Sequence, residues 1–200
     1  IIKPMIRNNI CMNAHPKGLA IEAQKQIDYV NQQDRIDGPK RVLVIGGSAG
    51  YGFASRIVAA YGCGASTINV AFERPASGKR TATVGWYNTE YFEQRAKEAD
   101  LDVATVYGDA FSDEIKDETV KLIREKWGGG VDLVVYSLAA PMRTDPKTGE
   151  TYRSVLKPVG EPFTARTIDT MTGEFKTVTA EPATDEEIHA RSEEHTSELQ

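Results

Sequence analysis

Four short runs rich in β-branched residues alternate with stretches of helical period, and a glycine-rich turn stands directly behind the first run. Those two observations predict an α/β fold. The expected architecture is a Rossmann-like parallel sheet with helices on both faces, followed by a β-hairpin excursion, and truncated before the sheet is complete. The 200 residues are 40% hydrophobic and 26% charged, with a formal net charge of −5, which suits one sizeable domain better than two.

The elements follow in order. Ala20, Ala23, Ile27 and Val30 recur at helical spacing, so residues 19–33 read as an amphipathic helix stopped by Gly38-Pro39. Arg41-Val42-Leu43-Val44-Ile45 reads as a central strand buried on both faces. Behind the turn Gly46-Gly47-Ser48-Ala49-Gly50-Tyr51-Gly52, the residues Phe53, Ala54, Ile57, Val58 and Tyr61 line a helix that Gly62 and Gly64 end. A second strand is expected from about Thr67 to Phe72, then a polar loop to Asn88. A helix over 89–99 follows, with Asn88 or Thr89 as its cap. Leu101 to Tyr107 is the third strand. Ser112 caps the next helix, with Asp113 and Glu114 at its positive end, and Gly128-Gly129-Gly130 closes it. Val131 to Tyr136 is the fourth strand. From Pro141 the period changes: Lys147-Thr148-Gly149 and Met171-Thr172-Gly173 mark turns between Thr-rich runs, the signature of hairpins. Thr184 before Asp185-Glu186-Glu187-Ile188 opens a helix.

No apolar run approaches the ~20 residues of a membrane span. The opening Ile1-Ile2-Lys3-Pro4 lacks the layout of a signal peptide. Cys11 and Cys63 stand apart without a Cys-x-x-Cys pair or a His cluster, so neither a disulfide framework nor a metal site is indicated. A cytoplasmic protein is expected. The mild acidity and the lack of a Lys/Arg stripe argue against nucleic acid as a partner. Residues 191–200 have no apolar periodicity and carry one arginine against three glutamates; they look like the translation of a sequencing-library adapter. They are set aside as an artefact, and His195 is given no role.

The turn has the pattern Gly46-x-x-x-Gly50-x-Gly52 rather than G-x-G-x-x-G. Gly46 lets the chain leave the strand sharply, Gly50 lets backbone approach a pyrophosphate, and Gly52 lets the helix lie close to the sheet. The helix N-terminus behind the turn favours the anion. Glu73, just past the second strand, stands where an acid holds adenosine ribose hydroxyls and repels a 2′-phosphate, which favours NADH over NADPH. Arg74 beside it blurs that preference. Asp109 and Ala110 after the third strand would flank the adenine. Ser137, Leu138 and Ala139 after the fourth would approach the nicotinamide ribose.

Taken together, Ala14-His15-Pro16, Gly38 to Gly46, Gly85-Trp86-Tyr87-Asn88, Gly108 to Asp113, Asp132 to Ala139, Lys157 to Gly160 and Glu181 to Thr184 resemble the bacterial trans-2-enoyl-CoA/enoyl-ACP reductase family. That is a group of large, monomeric, NADH-using relatives of short-chain dehydrogenases. The resemblance covers residues 1–190, which then form the N-terminal part of a single NADH-binding reductase domain. It implies reduction of the 2,3 double bond of a trans-2-enoyl thioester carried on CoA or acyl carrier protein, the last step of fatty-acid elongation. It maps NADH contacts onto Gly46, Gly47, Ser48, Ala49, Gly50, Tyr51, Phe72, Glu73, Asp109, Ala110, Leu138 and Ala139. Ala49 departs from the serine of the family pattern, and Arg74 replaces the usual lysine.

Enoyl reduction calls for a Tyr with a Lys steadying its charge. None of the eight tyrosines has a Lys at the short-chain spacings. The family's longer spacing gives one match, Tyr107 with Lys116, which is set aside because the two fall on different elements. The resemblance puts the catalytic pair beyond residue 200, so no catalytic residue is assigned and this chain by itself is expected to be inactive. His15 is expected to be structural, and Trp86 and Tyr87 to pack as loop aromatics. Three other readings stand beside this one: a short-chain dehydrogenase acting on a carbonyl, a protein that senses NAD(H) without chemistry, and a fragment that folds poorly and binds nothing because its sheet lacks its remaining strands.

Overall fold

The computed structural model describes residues 3, 5–7, 10, 11, 13–138, 140, 142–153, 155–169 and 172–196, without the side chains of 6, 7, 10, 11 and 191–196. Contacts divide the chain into two units, residues 1–6 with 11–138 and residues 7–10 with 139–200.

The first unit is built on a parallel sheet. Its first helix is α1 (Pro16–Asn31), which the two-residue strands β1 (Ile6–Arg7) and β2 (Ile10–Cys11), each divided between the units, precede in the chain. It starts three residues before the predicted 19–33 because His15 Nδ1 accepts from Gly18 N at 3.0 Å while Pro16 supplies a ready-made first turn. His15 is therefore a helix cap, as expected of a structural histidine. Strand β3 (Arg41–Ile45) leads through the glycine turn into α2 (Gly50–Ile57), which runs on as a π-helical turn over Val58–Gly62. Strand β4 is Ser66–Ala71, one residue earlier at each end than predicted.

Helix α3 (Val84–Glu98) takes up the last part of the expected polar loop, with Thr83 rather than Asn88 or Thr89 at its cap. Asn88 and Thr89 are buried inside the helix. Strand β5 (Val103–Tyr107) starts after the predicted Leu101; the Asp102 carbonyl accepts from Thr67 N at 3.0 Å, and its carboxylate accepts from Ser66 Oγ (2.6 Å) and Lys126 Nζ (2.6 Å). Helix α4 (Asp113–Trp127) is capped as predicted: Ser112 Oγ accepts from Ile115 N at 3.3 Å, and Gly128 ends the helix at φ +67°. Strand β6 is Leu133–Tyr136; Asp132, predicted within it, bonds sideways to the start of β3 instead.

The sheet order is β5-β4-β3-β6 with every pair parallel. The chain thus steps outward from β3 through β4 to β5, then returns to the other side of β3, and the strand order reverses between β3 and β6. Ala23, Ile27, Phe53, Ile57, Phe92 and Ala96 bring α1, α2 and α3 together in one apolar cluster. Ile115 and Ile123 of α4 close on Leu43, Ile68, Val70 and Val106 in another. Val42, Leu43 and Val44 are buried, as a central strand requires.

One charge lies inside the helical layer. Arg56 of α2 is fully buried, with its Nη2 donating to Glu93 Oε1 (3.2 Å) and to the Ala104 carbonyl (3.0 Å), and its guanidinium 4.5 Å over the Phe92 ring. Burial pulls that guanidinium down to about 10, and Glu93 opposes the shift, so it stays charged near neutrality. Thr105 Oγ1 donates to the same carboxylate oxygen at 2.6 Å. The set ties α2, α3 and β5 into one block.

The second unit contains the predicted hairpins, β7 (Met142–Thr144) with β8 (Thr151–Arg153) and β9 (Phe163–Ile168) with β10 (Phe175–Ala180). Both turn in the same way, over Asp145-x-x-Thr148-Gly149-Glu150 and Asp169-x-x-Thr172-Gly173-Glu174. In each, the glycine N–H donates to the aspartate carbonyl, and the glutamate N–H donates to the threonine hydroxyl. Met171 of the second turn signal and Pro141 lie outside the described residues. Helix α5 (Asp185–Thr196) opens on a reciprocal cap: Glu187 N donates to Thr184 Oγ1 at 3.2 Å, and Thr184 N to Glu187 Oε2 at 2.9 Å. It crosses residue 190 and runs on to Thr196. Among the described residues no helix is long and apolar enough to cross a membrane.

Candidate functional site

In an open parallel sheet, ligands settle at the carboxyl ends of strands, in the crevice where the strand order reverses. Here that crevice lies between β3 and β6, and the glycine turn leaves β3 directly into it. Gly46 takes φ +88° and donates its N–H to the Val70 carbonyl at 2.8 Å. A β-carbon there would overlap the Ser137 carbonyl of the neighbouring strand end. At Gly52 a β-carbon would overlap the Gly46 carbonyl and stand 3.0 Å from Ser137 Cβ, so α2 lies against its own turn only because position 52 is bare.

Gly50 differs from both. It has φ +55°, and a β-carbon would meet nothing within 4 Å. The α2 cap residue, Ala49, is extended and makes no side-chain cap bond. The first turn of α2 therefore presents backbone N–H groups without a capping hydroxyl or carboxylate, beside open space, and carries the positive end of the helix dipole. Tyr51 next to it is 91% exposed. This combination can receive an anion without displacing a protein group.

Side chains from elsewhere hold the turn. Asn69, fully buried in β4, accepts from Gly47 N at 2.8 Å. Asn88 of α3 donates to the Ser48 carbonyl at 3.1 Å. Ser48 Oγ donates to Glu73 Oε1 at 2.6 Å. Phe72, 78% exposed, precedes that glutamate at the end of β4. The fold thus brings the sequence-selected residues Gly46 to Tyr51 and Phe72-Glu73 to one edge. Leu138, half-buried beyond β6, reaches to 3.0 Å of where a Gly46 β-carbon would stand. Asp109 and Ala110 follow β5 at the same edge; Asp109 Oδ1 accepts from Phe111 N at 3.0 Å, and Ala110 packs toward the α4 side of the sheet. Ala139 lies outside the described residues.

Asn69, Asn88 and Gly85 do not stand out as site residues in the sequence. Asn69 carries a signal, an amide in the middle of a β-branched strand. Asn88 looks like a helix cap until its partner is known.

Trp86 and Tyr87 sit on the first turn of α3 rather than in a loop. Trp86 stacks on Tyr107 with ring centroids 4.7 Å apart, and Tyr87 Oη accepts from Ala82 N at 3.1 Å. Tyr107 donates to Glu90 at 3.2 Å, while Lys116 pairs with Asp113 at 3.2 Å. Burial, with Glu90 and Glu93 beside it, raises the Tyr107 phenol well above its ordinary value. A phenol so held is a poor proton donor to an enolate or alkoxide. Setting aside the Tyr107/Lys116 match is consistent with these partners.

Comparison with known proteins bears on the whole chain. Residues 1–78 match a family described as the NAD(P)H binding domain of trans-2-enoyl-CoA reductase, and residues 80–193 match one described as the trans-2-enoyl-CoA reductase catalytic region. The boundary falls between β4 and α3, so the four-stranded sheet straddles both matches. A curated relative from Coxiella burnetii, an enoyl-[acyl-carrier-protein] reductase [NADH], is 55% identical over 189 residues, 94% of this chain and 47% of the relative. The crystal structure of Treponema denticola trans-2-enoyl-CoA reductase in complex with NAD superposes with a TM-score of 0.88 at 50% identity, covering 96% of this chain and 50% of that one. The Clostridium acetobutulicum trans-2-enoyl-CoA reductase in complex with NADH gives a TM-score of 0.89 at 39% identity, covering 96% and 48%. The chain spans about half the length of the curated relatives that it matches.

Proposed function

The chain belongs to the trans-2-enoyl-CoA reductase family, and from that membership we propose that its glycine turn and neighbouring strand ends form the NADH site of an enoyl thioester reductase. The observation that carries the reading is the uncapped first turn of α2, open above Gly50, with the Glu73 carboxylate bonded to the same turn. These residues fit a dinucleotide. The N–H groups from Ser48 through Tyr51 suit the pyrophosphate, which the helix dipole also favours, while those of Gly46 and Gly47 are spent on holding the turn. Phe72 and Glu73 suit the adenosine ribose, where the carboxylate repels a 2′-phosphate. Asp109 and Ala110 flank the adenine, and Leu138 approaches the nicotinamide ribose.

When bound, NADH supplies hydride to C3 of the 2,3 double bond. What this chain contributes is binding and orientation. Gly52 keeps α2 against the turn, Asn69 and Asn88 fix the turn's amides, and Ser48 steadies the ribose-reading acid. The proton for the enolate is a separate requirement. Tyr107 is unsuited to it, because its hydroxyl already donates to Glu90 and burial makes it a weaker acid than an ordinary phenol. Substrates are read as trans-2-enoyl thioesters of CoA or acyl carrier protein, in the cytoplasm, by a protein that works as a monomer at full length.

Titrating NADH fluorescence against the 200-residue chain tests the binding claim, and saturable binding is expected. The full-length protein should oxidise NADH in the presence of crotonyl-CoA, and the 200-residue chain should not. Absence of NADH binding by both would overturn the proposal, and turnover by the shorter chain would put the proton donor within it.

A further inference from the structure

The placement of Glu73 has an unusual cause. Its carboxylate does not project freely from the end of β4; it lies over the first turn of α3, where a β-carbon on Gly85 would overlap both Oε1 and Cδ and stand 2.7 Å from Ser48 Oγ. Gly85 is buried, on the second residue of α3 (Val84–Glu98), and the Thr83 cap makes no side-chain cap bond. A carboxylate at that point meets the positive end of a 15-residue helix and accepts from Ser48 Oγ at 2.6 Å. Two features therefore seat it: the Ser48 hydroxyl and the bare position at 85.

The neighbours of Gly85 also say what the glycine is for. The φ of Gly85 is not in the left-handed region, so alanine is allowed by the backbone and favoured by helix propensity. The atoms in the way are the Glu73 carboxylate, the far end of a flexible side chain, and the Ser48 hydroxyl, and both can swing aside. A glycine needed for folding would meet backbone, as Gly52 does. Gly85 keeps the Glu73 carboxylate in one place, and the fold does not otherwise demand it.

We propose that Gly85 is a selectivity-determining position for the dinucleotide: with Ser48, it seats the Glu73 carboxylate where that group reads the adenosine ribose and excludes a 2′-phosphate. This rests on the reading of Glu73 as the ribose acid. Gly85 acts through Glu73 and so is a positioning residue. A side chain at 85 expels the carboxylate from its seat, breaks its bond to Ser48 and leaves it mobile over the turn. NADH then loses an oriented acceptor, and NADPH loses part of the repulsion against it.

The test is a double-mutant cycle in the full-length protein, reading the ratio of NADPH to NADH dissociation constants by fluorescence titration. The ratio is chosen because turn contacts to the pyrophosphate are common to both ligands and cancel. Gly85→Ala should lower the ratio by about tenfold, the worth of one hydrogen bond to a charged group, with the melting temperature and circular dichroism kept. Glu73→Ala should lower it at least as far. In the Glu73→Ala background, Gly85→Ala should add nothing, which is the outcome that a merely structural role would not give. Ser48→Ala, which clashes with nothing, runs through the same cycle and decides the matter if Gly85→Ala does not fold. If Glu73→Ala collapses the ratio while Gly85→Ala and Ser48→Ala leave it at wild type, the inference is wrong and the ribose-acid reading stands. If Glu73→Ala leaves the ratio unchanged, that reading fails and the inference fails with it. Additive effects of positions 85 and 73 would also overturn it.

Discussion

Gly52 and Gly85 both stand where a β-carbon cannot fit, yet the obstructing atoms differ in kind. At Gly52 they are the Gly46 carbonyl and the Ser137 side-chain stem, neither of which can rotate away. Relief requires moving α2 off its turn, and that disturbs the N–H groups that end the helix. Gly52→Ala should therefore cost about 1–3 kcal/mol of stability, the range for forced overpacking, and weaken NADH and NADPH binding together. Urea unfolding and paired titrations check this; unchanged unfolding would mean that the turn is softer than its contacts imply. The two glycines are equally visible in the sequence, as are Ser48 and Glu73. Their difference is not, because it depends on which atom lies across the gap. The same holds for Asn88: its type and place suggest a cap, while its amide is used 40 residues away on the Ser48 carbonyl.

At the scale of elements, the strands were legible and the helix starts less so. Strand β3 was predicted residue for residue because β-branched side chains on a two-sided sheet leave few alternatives. The start of α3 is hidden because Thr83, Asn88 and Thr89 are all cap-type residues, and the later two stand closer to the Phe92 and Ala96 face. The start of β6 was misplaced for an electrostatic reason. Asp132 accepts from Arg41 Nη2 at 2.6 Å and from the backbone N–H of Lys40 (3.1 Å) and Arg41 (2.9 Å), which clamps the amino end of β6 to that of β3. The Arg41 side chain, helped by those two N–H groups, holds the Asp132 carboxyl down to about 2. An ordinary aspartate titrates near ~3.9 when unfolded. A carboxyl lowered by folding stabilises above its unfolded value and loses that contribution as the pH falls through its folded value. The clamp therefore acts fully above about pH 4 and is lost toward pH 2. Asp132→Asn should flatten the pH dependence of the urea midpoint across that window while lowering the midpoint at pH 6. A variant with the wild-type slope would show that other carboxylates govern acid unfolding.

At the scale of the whole molecule, the sequence carried the sheet, its order of elements and the edge at which a ligand would settle, because those follow from alternating periods and from handedness. It did not carry the long-range ties among Ser48, Asn69, Glu73 and Asn88, since a hydrogen bond between distant residues leaves no period behind. Those ties join β3, β4 and α3 at the open end of α2, so a dinucleotide bound there engages several elements at once. Ligand binding to the folded state alone then appears as stability. At a hundredfold excess over its dissociation constant, NADH should contribute about 2.7 kcal/mol. For a cooperative transition in a chain of this length that corresponds to roughly 5–10 °C in melting temperature. Differential scanning fluorimetry of the 200-residue chain with rising NADH is the measurement. The shift should grow with the logarithm of concentration, be smaller with NADPH, and largely vanish in Gly52→Ala, whose turn is displaced. A chain whose melting temperature ignores NADH, or rises equally in Gly52→Ala, would mean that the cofactor does not bind at the α2 turn.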